Sequence, residues 1–397
     1  MHITSQFDSG NIEVISAYSA ADIHLAIRPD TQCAFMQWFH FRVHGVAGTP
    51  LRISIDNAGD CSYADGWYGY QCVASYDRRD WFRVPATRYD GKRLVIELTP
   101  EHDTVWLAYF EPYSFERHLD LIGACALSPD AHIERLGATV QGRDIDLVRV
   151  GEPAFGRKNI WMVARQHPGE AMAEWFVEGF LQRLLDPFDA VAREIRERAC
   201  VYVVPNINPD GAINGNLRAN AAGANLNREW ASPSVERSPE VLHVQQAMRA
   251  SGVDFFLDIH GDETLPYVFI DGSHMVPGYG ERNLANQKTF LADLASAAPD
   301  FQLEHGYSDD RFDDELLTLA SKWVAHTFNC TGLTLEMPFK DNANAPDTRH
   351  GWNGERSRQI GAAMLLPLLQ YLRRNQVDKT VQPANAEAAG NAESQTN

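Results

Sequence analysis

The sequence predicts a mixed, mostly parallel α/β sheet flanked by helices, preceded by an antiparallel β-sandwich. Three observations predict it. Residues 1 to about 115 alternate apolar and polar positions with period two. From about residue 133, short unbroken apolar runs alternate with helical patterns. The last stretch, Gln376 to Asn397, contains no aromatic, Leu or Ile. These regimes divide the chain into a sandwich domain (1–118), a second domain (119–375) and a tail (376–397).

In the first region Phe39, Phe41 and Val43 alternate with His40 and Arg42. Leu51, Ile53 and Ile55 alternate with Arg52 and Ser54, and Leu94, Ile96 and Leu98 with Val95 and Glu97. Such alternation belongs to strands with one buried and one wet face. Aromatic residues are dense here: Trp38, Trp67, Tyr68, Tyr70, Trp81, Trp106, Tyr109, Phe110 and Tyr113. Sandwich cores use such rings routinely. A ligand platform is the competing reading.

In the second region Ile145, Leu147 and Val150 mark a strand after a turn at Gly142. NIWMVA (159–164), CVYVV (200–204), FFLDI (255–259) and TGLTL (331–335) are apolar runs of the length buried in a parallel sheet. Helices are expected over Ala171 to Leu185, from Ser238 with Pro239 in its first turn, and over Glu355 to Arg374. Strands alternating with helices imply a sheet covered on both faces. The tail cannot bury enough apolar surface to offset ordering entropy and is expected to be disordered.

Lys and Arg number 35 against 53 Asp and Glu, a formal charge of −18. A field of that sign repels nucleic acid and anionic lipid, while allowing a local basic pocket. No run approaches the roughly 20 apolar residues that span a bilayer, and Met1 to Asn11 lacks the features of a secretory leader. The six cysteines form no C-x-x-C pair, so free, mostly buried thiols and a cytoplasmic location are expected.

The chemistry concentrates at strand ends. Directly after NIWMVA, His167 and Glu170 flank Pro168-Gly169, and His260 follows FFLDI. Ligands collect at the carboxyl ends of strands in open α/β sheets. Two imidazoles and a carboxylate with an open fourth position form a catalytic zinc set. Asp258 could orient an imidazole from behind. H-x-x-E alone is a weak signal; His260 at the next strand end strengthens it. Glu336 ends the run TGLTLEMP, where a buried carboxylate implies either a general base for a metal-activated water or a structural ion pair. A long amide-rich loop, Asn206 to Trp230, carries Arg218 and Arg228. One guanidinium there would anchor a substrate carboxylate and another would polarise a carbonyl.

His167-Pro-Gly-Glu170, Asn208-Pro-Asp-Gly211, Arg218, Asn227-Arg228, His260 and Glu336, in that order, resemble the zinc metallocarboxypeptidases of the carboxypeptidase A type. Trp38 to Val43 and Ala108 to Tyr113 are similar to sandwich landmarks of the cytosolic carboxypeptidase branch, which includes tubulin deglutamylases. The resemblance implies one Zn2+ held by His167, Glu170 and His260. It implies Glu336 as general base and then acid, Arg218 on the oxyanion, and Asn227 with Arg228 on the carboxylate of a peptide or protein C-terminus. A substrate-capping tyrosine aligns insecurely with Tyr307. Lys322 and Arg311 are the candidate cations for an acidic, glutamate-like side chain. The alternatives are a zinc amidohydrolase of N-acyl amino acids, of the aspartoacylase kind, and a non-catalytic protein that binds a polymer through its sandwich.

Overall fold

The computed structural model describes residues 1–308 and 313–376. Arg311 and the tail from residue 377 on lie outside the described residues. The first region holds ten strands: β1 (His2–Thr4), β2 (Glu13–Ser19), β3 (Asp22–Ala26), β4 (His40–His44), β5 (Leu51–Ile55), β6 (Val73–Ser75), β7 (Trp81–Arg83), β8 (Thr87–Tyr89), β9 (Leu94–Leu98) and β10 (Thr104–Ala108). They form two five-stranded sheets, ordered β1-β4-β10-β6-β7 and β2-β3-β5-β9-β8. Every pairing is antiparallel except β3 with β5. The chain leaves β3, crosses into the other sheet as β4, and re-enters in the same direction as β5. Such a crossover is what a parallel neighbour requires.

The expected alternation is realised: Phe39, Phe41, Val43, Ile53, Ile55 and Ile96 are fully buried. The aromatic rings point inward too. Trp38, Trp67, Tyr70, Tyr109, Phe110 and Tyr113 are core residues, and only Tyr68 of this set stands in solvent. They are packing, not a platform.

The second region contains α1 (Phe115–Ala126), β11 (Ala131–Ala138), β12 (Asp144–Val150), β13 (Lys158–Ala164), α2 (Met172–Leu184), α3 (Ala190–Arg198), β14 (Ala199–Val204), α4 (Pro209–Asn214), α5 (Pro239–Ser251), β15 (Phe255–Asp262), β16 (Phe269–Asp271), α6 (Glu281–Ala297), α7 (Ala320–Phe328), β17 (Thr331–Pro338), α8 (Gly354–Ala363) and α9 (Leu365–Arg374). The mixed sheet runs β11-β12-β14-β13-β15-β17-β16. Its four central strands are parallel, and the outer strands join antiparallel. Ile160, Met162 and Leu257 face the layer built on α2, α3, α6, α8 and α9. Trp161, Val163 and Phe256 face α5 and α7. The closing helix expected over Glu355 to Arg374 is two helices that break at Met364. Pro367 has no N–H to give and is tolerated only in a first turn, which α9 provides.

The two regions share one core. Tyr109 of the sandwich stacks on Phe339, just past β17, with centroids 4.5 Å apart. Arg83 reaches across to donate to the carbonyls of Phe339 at 2.9 Å and Trp352 at 2.8 Å. In the helical layer, α2 and α8 touch backbone to backbone. A Cβ on Gly179 would lie 2.0 Å from the Arg358 carbonyl oxygen, and one on Gly361 would lie 2.1 Å from that of Phe176. Gly179→Ala is therefore expected to destabilise by roughly 1–3 kcal/mol through overpacking. Gly123→Ala, in α1 with open space around it, should be neutral or stabilising by up to about 1 kcal/mol. Denaturant unfolding of the two variants checks the contrast.

Candidate active site

β13 ends at Ala164, and the chain turns through Arg165, which holds a left-handed φ of 60°. That backbone costs about 1–2 kcal/mol in a residue with a Cβ, and the surroundings over-determine it. The buried Arg165 guanidinium donates to the Pro168 carbonyl at 3.1 Å, the Tyr113 carbonyl at 2.9 Å and Glu174 at 2.6 Å. Glu174 also accepts from Asn206 at 3.1 Å and pairs with His118 at 2.6 Å. The turn thus folds around its own arginine and delivers His167 and Glu170. His260 arrives on β15, whose parallel register against β17 sets His260 opposite Glu336 and Asp258 opposite Thr334.

His167, Glu170 and His260 offer ligand atoms within 4.8 Å of one another, all buried. His167 Nδ1 lies 2.6 Å from one Glu170 oxygen, and His260 Nδ1 lies 2.8 Å from the other. The two Nδ1 atoms are 3.1 Å apart. Each ring turns its Nε2 outward to an acceptor: Asn225 Oδ1 at 3.0 Å for His167, and Asp258 Oδ2 at 2.9 Å for His260. With Nε2 protonated on each ring, as these acceptors favour, two Nδ1 lone pairs face each other beside a carboxylate. A divalent cation relieves that repulsion. At zinc–nitrogen distances of about 2.0–2.1 Å, a tetrahedral edge is about 3.3 Å, close to the separation found. The donor set fits zinc.

The cluster calls for positive charge: against burial, Asp258 and Glu170 push the His260 imidazole well above its ordinary value. Burial, helped by the Arg218 guanidinium, lowers His167 to about 3, so its imidazole is neutral. Burial opposes ionisation of Glu170, but His167 and His260 outweigh it and hold the carboxyl well below its usual range. Asp258 is itself fixed by two hydrogen bonds from Gln166, at 2.9 and 2.7 Å, whose carbonyl oxygen accepts from Trp230 at 2.8 Å.

A cavity of about 380 Å³ opens beside the three donors. Glu336, Arg218, Asn227 and Arg228 all line it, so the structure brings together every site residue expected from sequence. Glu336 is buried, and its Oε2 has no hydrogen-bond partner among the described residues. Burial pushes its carboxyl well above the usual range, against the opposing His260. Asn227 and Arg228 sit on a short 3-10 turn, Leu226–Arg228. Asn225 Oδ1, which accepts from His167, also accepts from the Asn227 backbone N–H at 3.1 Å. One amide therefore ties the 226–228 turn to the turn that carries His167 and Glu170.

Sequence reading missed several participants. Asp30, in the loop after β3, accepts from the backbone N–H groups of Leu217 at 2.6 Å, Arg218 at 2.7 Å and Ala219 at 2.9 Å. Burial pushes its carboxyl up to about 6, against those three bonds. The Arg218 guanidinium lies over the rings of Tyr63 at 5.2 Å and Phe35 at 5.9 Å, cation–π contacts supplied by the sandwich. Glu263 also lines the cavity, and burial pushes its carboxyl up to about 8, with Glu170 adding to the effect. No local motif marks these residues.

Two expectations are revised or resolved. Lys322 is not an open specificity cation. It is buried and donates to Asp271 Oδ2 at 2.9 Å and to the Gly272 carbonyl, because a buried ammonium requires such partners. Asp271, not Lys322, lines the cavity. Tyr307 does stand in the cavity wall, donating its hydroxyl to Asp262 Oδ2 at 2.6 Å.

Comparison with known proteins gives the same picture. A family model described as zinc carboxypeptidase matches residues 123–357, and one described as the cytosolic carboxypeptidase N-terminal domain matches residues 3–110. An uncharacterized protein of Zymomonas mobilis is 44% identical over 94% of this chain and 97% of its own length. Cytosolic carboxypeptidase 4 of Mus musculus is 28% identical over 68% of this chain but only 28% of its own length. The crystal structure of a metallo-carboxypeptidase from Burkholderia cenocepacia is 52% identical, with a TM-score of 0.92 over 94% of this chain and 99% of that one. A metallo-carboxypeptidase from Pseudomonas aeruginosa, solved in complex with (2-guanidinoethylmercapto)succinic acid, is 47% identical, with a TM-score of 0.90 over 94% of this chain and all of that one.

The outward hydrogen bond of His260 generates a prediction. Asp258→Asn is expected to weaken zinc binding about 10–100-fold, the usual effect of losing a carboxylate behind a ligating imidazole. Competition titration against a chelator measures it. An unchanged affinity would show that Asp258 does not orient His260.

Proposed function

The chain belongs to the zinc carboxypeptidase family, a family of peptidase hydrolases, and on that premise we propose that it removes the C-terminal residue of peptides or proteins. The observation that carries this reading is the meeting, in one cavity, of a three-donor metal set, a buried carboxyl in register with it and two arginines. His167, Glu170 and His260 would hold one zinc, which when bound would supply Lewis acidity toward the scissile carbonyl and the attacking water. Arg228 and Asn227 grip the terminal carboxylate, and a planar guanidinium fork suits that anion. Arg218 donates to the carbonyl oxygen as it gains charge. Glu336 takes a proton from water and passes it to the leaving amine. Its place opposite His260, with Oε2 free of other partners among the described residues, leaves that carboxylate available for the transfer. The six unpaired cysteines support a cytoplasmic setting.

The pocket for the terminal side chain lies past Arg228, where Asp271, Thr334 and Leu319 line the cavity. A glutamate side chain would have to compete with Asp271 for Lys322. A lysine or arginine side chain meets the Asp271 carboxylate, which it shares with Lys322. Basic C-terminal residues are therefore the proposed substrates, in place of glutamate. The molecule bound to the Pseudomonas aeruginosa relative has the same charge pattern, a guanidino group at one end and a succinic acid at the other.

Arg218→Ala is expected to lower kcat about 100–1,000-fold with little change in KM, as losing an oxyanion donor does. Arg228→Ala should raise KM as well. Glu336→Gln should keep its zinc and lose about 100–10,000-fold in kcat. Steady-state kinetics alongside metal analysis checks all three, and a zinc-loaded, fully active Glu336→Gln enzyme would remove Glu336 from the mechanism. Peptides ending in Lys, Arg, Leu and Glu, otherwise identical, test the pocket. Lys and Arg should lead, and a leading Glu would contradict the role given to Asp271.

A further inference from the structure

Five carboxylates line the cavity, and four have partners or tasks. Glu170 faces the metal position, and Glu336 carries the proton. Asp262 accepts from Tyr307 at 2.6 Å and from the backbone N–H groups of Thr264 at 2.7 Å and Leu265 at 2.6 Å. Asp271 holds Lys322. Glu263 has neither. It is 5% exposed, and its Oε1 has no hydrogen-bond partner among the described residues. A buried carboxyl left without a donor is destabilising unless something else completes it.

Glu263 is also held in place. Gly66 of the sandwich packs so closely that a Cβ there would lie 2.9 Å from the Glu263 carbonyl oxygen and 3.1 Å from its Cβ. Tyr63, from the same sandwich loop, lines the cavity and lies under Arg218. Glu263 and Arg218 therefore stand together at the sandwich wall. Asn227 lines the same cavity, and its side-chain oxygen accepts from the Ala320 N–H at 2.8 Å.

We propose that Glu263 forms a binding site for a cationic group on the residue immediately upstream of the scissile bond. The proposal rests on the carboxypeptidase reading above. With the terminal carboxylate on Arg228 and the scissile carbonyl at Arg218, the substrate chain continues toward the sandwich wall and meets Glu263. An ammonium or guanidinium brings the hydrogen bond that Oε1 lacks. The cation has two sources: the side chain of a penultimate Lys or Arg, or the free α-amine of a dipeptide.

The test uses the full-length zinc-loaded enzyme and two sets of peptides. Acetyl-Ala-Lys-Arg, acetyl-Ala-Ala-Arg and acetyl-Ala-Glu-Arg vary the penultimate side chain. Ala-Arg and acetyl-Ala-Arg vary the α-amine. In at least one set the cationic member should lead in kcat/KM by about tenfold or more, the size of a charge-assisted hydrogen bond, and the set that responds identifies the source. Glu263→Gln should bring that ratio to about one and improve the relative rate on the Glu-containing peptide. Glu263→Asp should keep the preference, so a Glu263→Gln protein that fails to fold leaves the wild-type ratio and the Asp variant to decide. Equal rates across both sets, or a preference that survives Glu263→Gln, would overturn the subsite while leaving the carboxypeptidase reading intact. If the enzyme cleaves none of these peptides, nor counterparts ending in Leu or Glu, the carboxypeptidase reading itself falls and takes the subsite with it.

Discussion

Two imidazole nitrogens 3.1 Å apart beside a shared carboxylate make a donor set that a divalent cation between them completes. Much of the local architecture serves to hold that arrangement. The Arg165 turn, fastened by Glu174, fixes His167 and Glu170. The β15–β17 register fixes His260 against Glu336, and Asp258 and Asn225 fix which nitrogen of each ring is free. Hydrophobic burial builds the sheet, but these polar contacts aim it.

The sandwich is part of the same machinery. It shares a core with the sheet through Tyr109 and Phe339, and Arg83 satisfies carbonyls in the segment after β17. Asp30 gathers the backbone of 217–219, so the guanidinium of Arg218 emerges from a loop clamped by the other region of the chain. Tyr63 lines the cavity, and Gly66 packs against Glu263 in its wall. A sandwich with most of its aromatics in the core sets one loop residue, Tyr63, in the wall of the cleft.

How much of this the sequence reveals depends on range. His167, Glu170, His260 and Glu336 are legible because each sits where an apolar strand ends, and strand ends in such sheets gather at one edge. The period-two runs likewise announce β4, β5 and β9. Asp30 is illegible because its partners lie 187 to 189 residues away. Lys322 misleads for the same reason: nothing local shows that Asp271, 51 residues upstream, neutralises it. The α8–α9 break was signalled by Pro367, yet the continuous apolar face from Ile360 to Leu372 masks it. Short charged helices such as α3, with its capping Asp189, carry too little apolar pattern to be found by periodicity.

X-ray absorption at the zinc edge on the purified enzyme tests the central claim most directly. The account predicts a first shell of two imidazole nitrogens at about 2.0–2.1 Å with carboxylate and water oxygens completing it, and loss of one imidazole from that shell in His260→Ala. A sulfur-containing shell, a metal bound elsewhere, or a spectrum unaltered by His260→Ala would contradict it.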